Sequence, residues 1–120
     1  MKYIGKPLPN ASRAQIPPAK LRDYALNPHH PDGSHKAHVF RAALGIGQAD
    51  WSYLSDQLLD GLASSVVSKE TSDRYGTRYE VSIEVTGRNG RVLPVTTAWF
   101  VPKETDVPRL VTAYIQGKKP

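Results

Sequence analysis

Between Tyr79 and Val101 the chain spells out a β-hairpin, and any fold it adopts must be built around it. Tyr79, Val81, Ile83 and Val85 alternate with Glu80, Ser82 and Glu84, the period of two that a half-buried strand requires. Gly87-Arg-Asn-Gly90 follows, and an Asn-Gly pair suits the left-handed backbone of a tight hairpin turn. Arg91–Val101 then returns as the second strand. Both of its sides are largely apolar: Leu93, Val95, Thr97, Trp99 and Val101 on one, Val92, Pro94, Thr96, Ala98 and Phe100 on the other. It therefore reads as a central strand, and the pattern leaves open which face meets the rest of the molecule. The other face of so small a sheet is free to floor a cleft. Past the charged loop Pro102–Pro108, Arg109–Ile115 reads as a third strand. Within the ambiguous stretch Ser64–Ser72, Val66-Val67 hints at a short fourth.

The first half has a helical period. Pro17-Pro18 presets a helix start, and Leu21, Tyr24 and Ala25 carry a short helix from about Pro18 to Leu26, stopped by Asn27-Pro28. After the turn Pro31-Asp32-Gly33, a second helix runs from Ser34, its expected N-cap, to Leu44. Its inward stripe is Ala37, Phe40, Ala43 and Leu44, and Gly45 suits the left-handed position that ends a helix. A third spans about Ala49–Ala63, with Trp51, Leu54, Leu58 and Leu62 on one side. The expected layout is α+β, with N-terminal helices packed on a three- to four-stranded antiparallel sheet. Residues 1–16 read as an irregular arm, 17–115 as one domain, and 116–120 as a basic tail.

Composition narrows function. No cysteine is present, so disulfides, thiolate metal sites and cysteine nucleophiles are excluded. No apolar run is long enough for a membrane span or a signal-peptide core, so no membrane role is expected and the site of action is read as cytoplasmic. The net charge is +5 and unevenly spread: residues 46–75 hold two Lys/Arg and five Asp/Glu, while the two flanks together hold 14 of the 16 basic residues. Basic flanks around an acidic middle fit a polyanion-binding face, with RNA as the expected partner.

All four histidines, His29, His30, His35 and His38, fall within ten residues at the junction between the first turn and the second helix, beside Lys36. Imidazole suits proton transfer, metal ligation and anion contact, and a helix start offers free N–H groups and positive potential. Zinc held by His35, His38 and His29 or His30 is the rival chemistry, but the spacing is not that of a known zinc motif. No cofactor is expected.

Several motifs carry a resemblance over Leu8–Ile115. They are Leu8-Pro-Asn-Ala11, Lys20-Leu-x-x-Tyr-x-Leu-Asn-Pro28, His30-Pro-x-Gly-x-x-Lys-Ala-x-x-Phe40, Leu44-Gly45, Thr86-Gly-x-Asn-Gly90, Thr97-Ala-Trp99 and Pro108-Arg-Leu-Val-Thr-Ala-Tyr114. The chain resembles an uncharacterised bacterial domain family that occurs as small stand-alone proteins and as the C-terminal tips of contact-dependent and other polymorphic toxins. Its layout is similar to the fold shared by barnase, RelE-type toxins and colicin ribonucleases. The resemblance implies a small metal-independent ribonuclease toxin, held in check by an acidic antitoxin or immunity protein. A non-catalytic module that binds nucleic acid or a partner is the alternative. Fold alone does not decide between them.

On this reading the candidate catalytic residues are His30, Lys36, Thr97, Thr112 and Tyr114. His30 is a base or acid, or only shapes the turn; Lys36 holds phosphate, or is a solvated helix residue. Thr97-x-Trp99 and Thr112-x-Tyr114 are matching pairs, fit either for phosphate contact and base stacking or for ordinary strand packing. Arg78, Arg91, Arg109 and Trp99 are the candidate nucleic-acid contacts, with Arg88 a further strand-end cation. Glu80 and Glu84 supply a catalytic carboxylate or, more in keeping with exposed strand residues, cross-strand ion pairs with arginine.

Overall fold

The computed structural model describes residues 2–116. Four strands form an antiparallel meander in the order β1 (Val67–Ser72), β2 (Gly76–Thr86), β3 (Val92–Pro102), β4 (Arg109–Tyr114). Three helical segments precede them. The first, α1, is helical at Pro18–Lys20 and continues as a π-helical turn over Leu21–Ala25; α2 is Ser34–Leu44 and α3 is Trp51–Leu62. The molecule is an α+β fold of three helices on a four-stranded antiparallel sheet.

Strands β2 and β3 pair along their whole length, from Gly76 opposite Pro102 to Thr86 opposite Val92. Residues paired across a ladder share a face, so Tyr79, Val81, Ile83 and Val85 stand with Val95, Thr97, Trp99 and Val101. Against this face pack Leu54, Leu58 and Leu62 of α3, Phe40 and Leu44 of α2, and Leu21 and Ala25 of α1, all buried in one cluster. Burial of each large aliphatic or aromatic side chain contributes about 1.5–3 kcal/mol, so this face is fixed as the inner one. The opposite face is left open, exposed at Arg78, Ser82, Glu84 and Pro94.

The polar side of α3 clamps the hairpin. Tyr53 Oη and Gln57 Nε2 both donate to the Thr86 carbonyl, each at 2.6 Å, and Gln57 Oε1 accepts the Thr86 N–H. Asp50 accepts the Gly47 N–H and pairs with Arg88 at 3.2 Å, while the Arg88 guanidinium lies 3.9 Å from the Tyr53 ring centroid. Arg88 is thereby assigned to the hairpin turn. Asp50 thus joins the start of α3 to the hairpin turn through Arg88.

Helix α2 ends as expected, with Gly45 at φ 65° and its N–H on the Arg41 carbonyl. Its start differs from expectation. Gly33, not Ser34, is the N-cap, and no side chain caps the first turn.

The segment expected as an arm is irregular apart from a 3₁₀ turn at Ala11–Arg13, and it is tied to both edges of the sheet. Ile4 bridges Val67 of β1, Gln15 bridges Arg109 of β4, and Leu8 is buried. Between these anchors Asn10 Nδ2 donates to the Asp106 carbonyl. Glu70 accepts the Tyr3 N–H, and the Tyr3 ring meets Tyr79 edge-on at 5.8 Å. Of the basic tail expected at 116–120, all but Gln116 lies outside the described residues. Among the described residues no helix is long and apolar enough to cross a membrane.

Candidate active site

A cleft of about 680 Å³ opens where α1 and the start of α2 meet the open face of the sheet at β4. Its walls are Lys20, Asp23 and Tyr24 from α1, His30 and Lys36 from the α1–α2 junction, and Arg78, Val111, Thr112 and Tyr114 from the sheet. Five residues singled out from the sequence therefore converge: His30, Lys36, Arg78, Thr112 and Tyr114. Three cations, Lys20, Lys36 and Arg78, line the cleft against one carboxylate. That carboxylate, Asp23, is engaged by the neighbouring Arg22 at 2.9 Å; the hydrogen bond from Arg22 holds it below the usual carboxylate range and raises Arg22 in turn.

The junction is assembled by His30. Its Nδ1 accepts the backbone N–H groups of Asp32 and Gly33, both at 2.9 Å. The ring thereby fixes the turn Pro31–Gly33 that leads into α2, and leaves the N–H groups of the helix's own first turn without a side-chain cap. With Nδ1 an acceptor, the imidazole carries its proton on Nε2. His30 therefore presents a donor to the cleft and not a basic lone pair, which removes the role of general base.

Tyr24 ties the cleft together, and the sequence reading missed it. Lys36 Nζ donates to the Tyr24 hydroxyl at 2.7 Å, and the Tyr24 ring packs edge-on against His30, centroids 4.9 Å apart at 86°. Tyr24 sits in the π-helical turn, where Leu26 N–H reaches back to the Leu21 carbonyl at 2.8 Å. Single π turns are rare and recur at functional sites. At the sequence level its i, i+3 spacing from Leu21 makes it look like core; the available signal was its place in Lys20-Leu-x-x-Tyr. Gly33 explains its own motif position, since a Cβ there would stand 2.2 Å from the Tyr24 carbonyl oxygen. Only glycine lets the start of α2 lie against Tyr24.

Thr112 Oγ1 is buried in the cleft wall with no hydrogen-bond partner, alone in this among buried side-chain atoms of the described residues. The oxygen is closed to solvent, so its polar group is buried unsatisfied in the wall rather than presented to the cleft.

The remaining candidate residues lie outside the cleft. Thr97 and Trp99 are not in the cleft. Thr97 pairs with Ala113, so Thr112 and Tyr114 point to the opposite face from the Thr97–Trp99 pair. Both Thr97 and Trp99 are 0 % exposed; Thr97 Oγ1 donates to the Val81 carbonyl and accepts the Trp99 indole N–H, each at 2.7 Å. They are a satisfied core pair. Arg91 lies at the far end of β3 beside Leu93 and Pro94 and does not line the cleft. Arg109 shares a cross-strand row with Phe100 and Arg78 on the open face, outside the cleft wall. Glu80 and Glu84 stand outside the cleft too, and neither makes an ion pair within the described residues. No group of three His, Cys, Asp or Glu side chains among the described residues is placed to hold a metal ion.

Residues 7–117 match the family described as a domain of unknown function, DUF6883, and the chain belongs to that family. The match spans every motif from Leu8 to Tyr114. No curated protein matches the chain. Among solved structures, a chain of the contact-dependent growth inhibition toxin–immunity protein complex from Klebsiella pneumoniae 342 is similar, with a TM-score of 0.66 and 16% identity over 84% of this chain and 98% of that one. At that identity the likeness is one of fold.

Proposed function

We propose that this DUF6883 domain is a metal-independent ribonuclease toxin that acts on RNA in the cytoplasm and is neutralised by an acidic partner protein. The observation that carries the reading is the convergence of Lys36, Arg78, His30 and Tyr114 on one cleft. RNA supplies its own nucleophile, the 2′-hydroxyl. A protein that cleaves it without metal must orient the phosphate for in-line attack and stabilise the charge that builds on its oxygens. Lys36 and Arg78 offer the cations, His30 Nε2–H a hydrogen bond, and the Tyr114 ring a surface for a base.

The fold likeness to a chain of a toxin–immunity protein complex supports the toxin setting. Of the two roles in such a pair, the net charge of +5 favours the toxin. An inhibitor of an RNA-binding cleft needs acidic groups to compete with phosphate. The partner's contact surface is expected to include Pro31–Lys36 and Arg109–Tyr114, which together border the cleft.

The test is incubation of purified protein with total RNA in excess EDTA, followed by end analysis. Cleavage leaving 2′,3′-cyclic phosphate and 5′-hydroxyl ends, lost in Lys36→Ala, supports the reading. RNA that is bound but left intact by the wild type would instead make the chain a non-catalytic binding module.

A further inference from the structure

We propose that Tyr24 is the general acid of the cleavage, and that Lys36 restores its proton. The inference rests on the ribonuclease reading above and names the group that the leaving oxygen needs. Cleavage by the 2′-hydroxyl expels a 5′-alkoxide, a poor leaving group unless it is protonated as the bond breaks. The residues of the cleft narrow the donor. His30 has its single proton on Nε2, because Nδ1 is occupied by two backbone N–H groups; giving that proton up would leave an imidazolate. Asp23 is a carboxylate held ionised by Arg22. Thr112 is an aliphatic alcohol. Of the two phenols that line the cleft, Tyr24 and Tyr114, only the Tyr24 hydroxyl accepts a hydrogen bond among the described residues, from Lys36 Nζ at 2.7 Å. Its own O–H proton is thereby left to be donated elsewhere. No other acceptor is bonded to it among the described residues.

The step balances as follows. The 2′-oxygen bonds to phosphorus and its proton passes to a water molecule. The P–O5′ bond breaks, its electron pair stays on O5′, and O5′ takes the Tyr24 proton. The phenolate takes a proton from the adjacent Lys36 ammonium, and the amine regains one from solvent. The products are a 2′,3′-cyclic phosphate and a 5′-hydroxyl. Lys36 has two further N–H bonds, so it can feed Tyr24 and still face a phosphate oxygen. The surrounding structure holds the phenol in place: the ring is wedged edge-on against His30, and Gly33 brings the start of α2 against the Tyr24 backbone.

The experiment compares two substrates in the wild type, Tyr24→Phe and Lys36→Arg. One is an RNA oligonucleotide containing a site the wild type cuts; the other is identical but has sulfur in place of the bridging 5′-oxygen. A thiolate leaves without a proton, so the second substrate does not need the acid. Tyr24→Phe keeps the ring against His30 and removes only the hydroxyl. It is expected to slow cleavage of the oxygen substrate by about 10²–10⁴-fold, the usual range for one general acid, and the sulfur substrate by less than about tenfold. Lys36→Arg, which keeps a charged donor, is expected to retain more activity on the oxygen substrate than Tyr24→Phe. Equal losses on both substrates would overturn the acid assignment, since a merely positioning tyrosine affects both alike. So would an unimpaired Tyr24→Phe. A wild type that leaves total RNA intact, so that no such site exists, removes the ribonuclease reading itself. Thermal melting of each variant separates loss of fold from loss of chemistry.

Discussion

Gly33→Ala tests how the cleft is built. Gly33 sits at φ −92° and ψ −15°, a backbone conformation open to alanine, so the whole effect is steric. The added Cβ would lie 2.2 Å from the Tyr24 carbonyl oxygen, 2.9 Å from its carbon and 3.1 Å from Cδ1 of the ring. Ordinary contact begins near 3.4 Å, so the start of α2 and the π turn must separate by roughly 1 Å. Overpacking of this kind costs about 1–3 kcal/mol. In a chain of this length each kcal/mol lowers Tm by about 4 °C, so a fall of about 4–12 °C is expected. The same displacement carries His30 and Lys36 away from Tyr24. A misplacement of about 1 Å can cost about 10²-fold in rate, so activity should fall more than stability does. Calorimetry and cleavage rates on one preparation measure both. Ser34→Ala, one residue on, makes no new contact and is expected within about 0.5 kcal/mol of wild type. If Gly33→Ala matches Ser34→Ala in both Tm and rate, the close approach of α2 to Tyr24 does not hold the cleft together.

Other consequences follow from the same contacts. Thr97→Val removes the hydroxyl that satisfies the Trp99 indole and should destabilise the fold by about 1–3 kcal/mol with the cleavage rate per folded molecule unchanged; a selective loss of activity would return Thr97 to the site. Burial raises the Tyr79 hydroxyl above its ordinary 10.0, with Glu70 adding to the shift. The folded state favours the neutral phenol, so this contribution to stability is complete below pH 10 and is lost as pH climbs through the raised value. Ultraviolet titration of the wild type against Tyr79→Phe should show the missing tyrosine ionising above 10.0, and ionisation at or below that value would contradict its burial. Affinity for a 2′-O-methyl RNA, which cannot be cleaved, should fall steeply with salt, and Lys36→Ala or Arg78→Ala should each reduce the log–log slope by about one; a flat dependence would assign the charge to solubility.

Much of the architecture was legible because it rests on periodicity. The alternation at Tyr79–Val85 and the Asn-Gly turn give the hairpin, and Ala37, Phe40 and Leu44 followed by Gly45 give α2 with both ends within a residue. Strand β1 was harder to read because it is an edge: of Val67–Ser72 only Val67 is fully buried, so it has no apolar alternation. The docking of residues 2–16 rests on backbone bridges, one buried leucine and scattered contacts such as Tyr3 on Tyr79 and Asn10 on Asp106, which leave no periodic pattern in side-chain polarity. The face of β3 was undecidable locally, since both of its sides are apolar. Packing of the helices on the side of Val95, Trp99 and Val101 settles it, and the pairing of Thr97 with Ala113 then separates two motifs that look alike in sequence. His30 and Lys36 were visible as polar residues at a turn–helix junction. Tyr24 was hidden, because a π turn shifts the helical phase that made it look like core.

The location of chemistry is tested most directly by measuring cleavage rates and melting temperatures for two sets of single variants under one condition. The first set, Lys36→Ala and Arg78→Ala, removes cations that line the cleft. The second, Arg91→Ala and Lys103→Ala, removes exposed cations that lie outside it. A nuclease site in the cleft predicts losses of about tenfold or more across the first set, with near wild-type rates in the second and melting temperatures retained in both. Equal losses in the two sets would mean that only overall charge matters, and unimpaired cleavage by the first set would place the active centre elsewhere on the molecule.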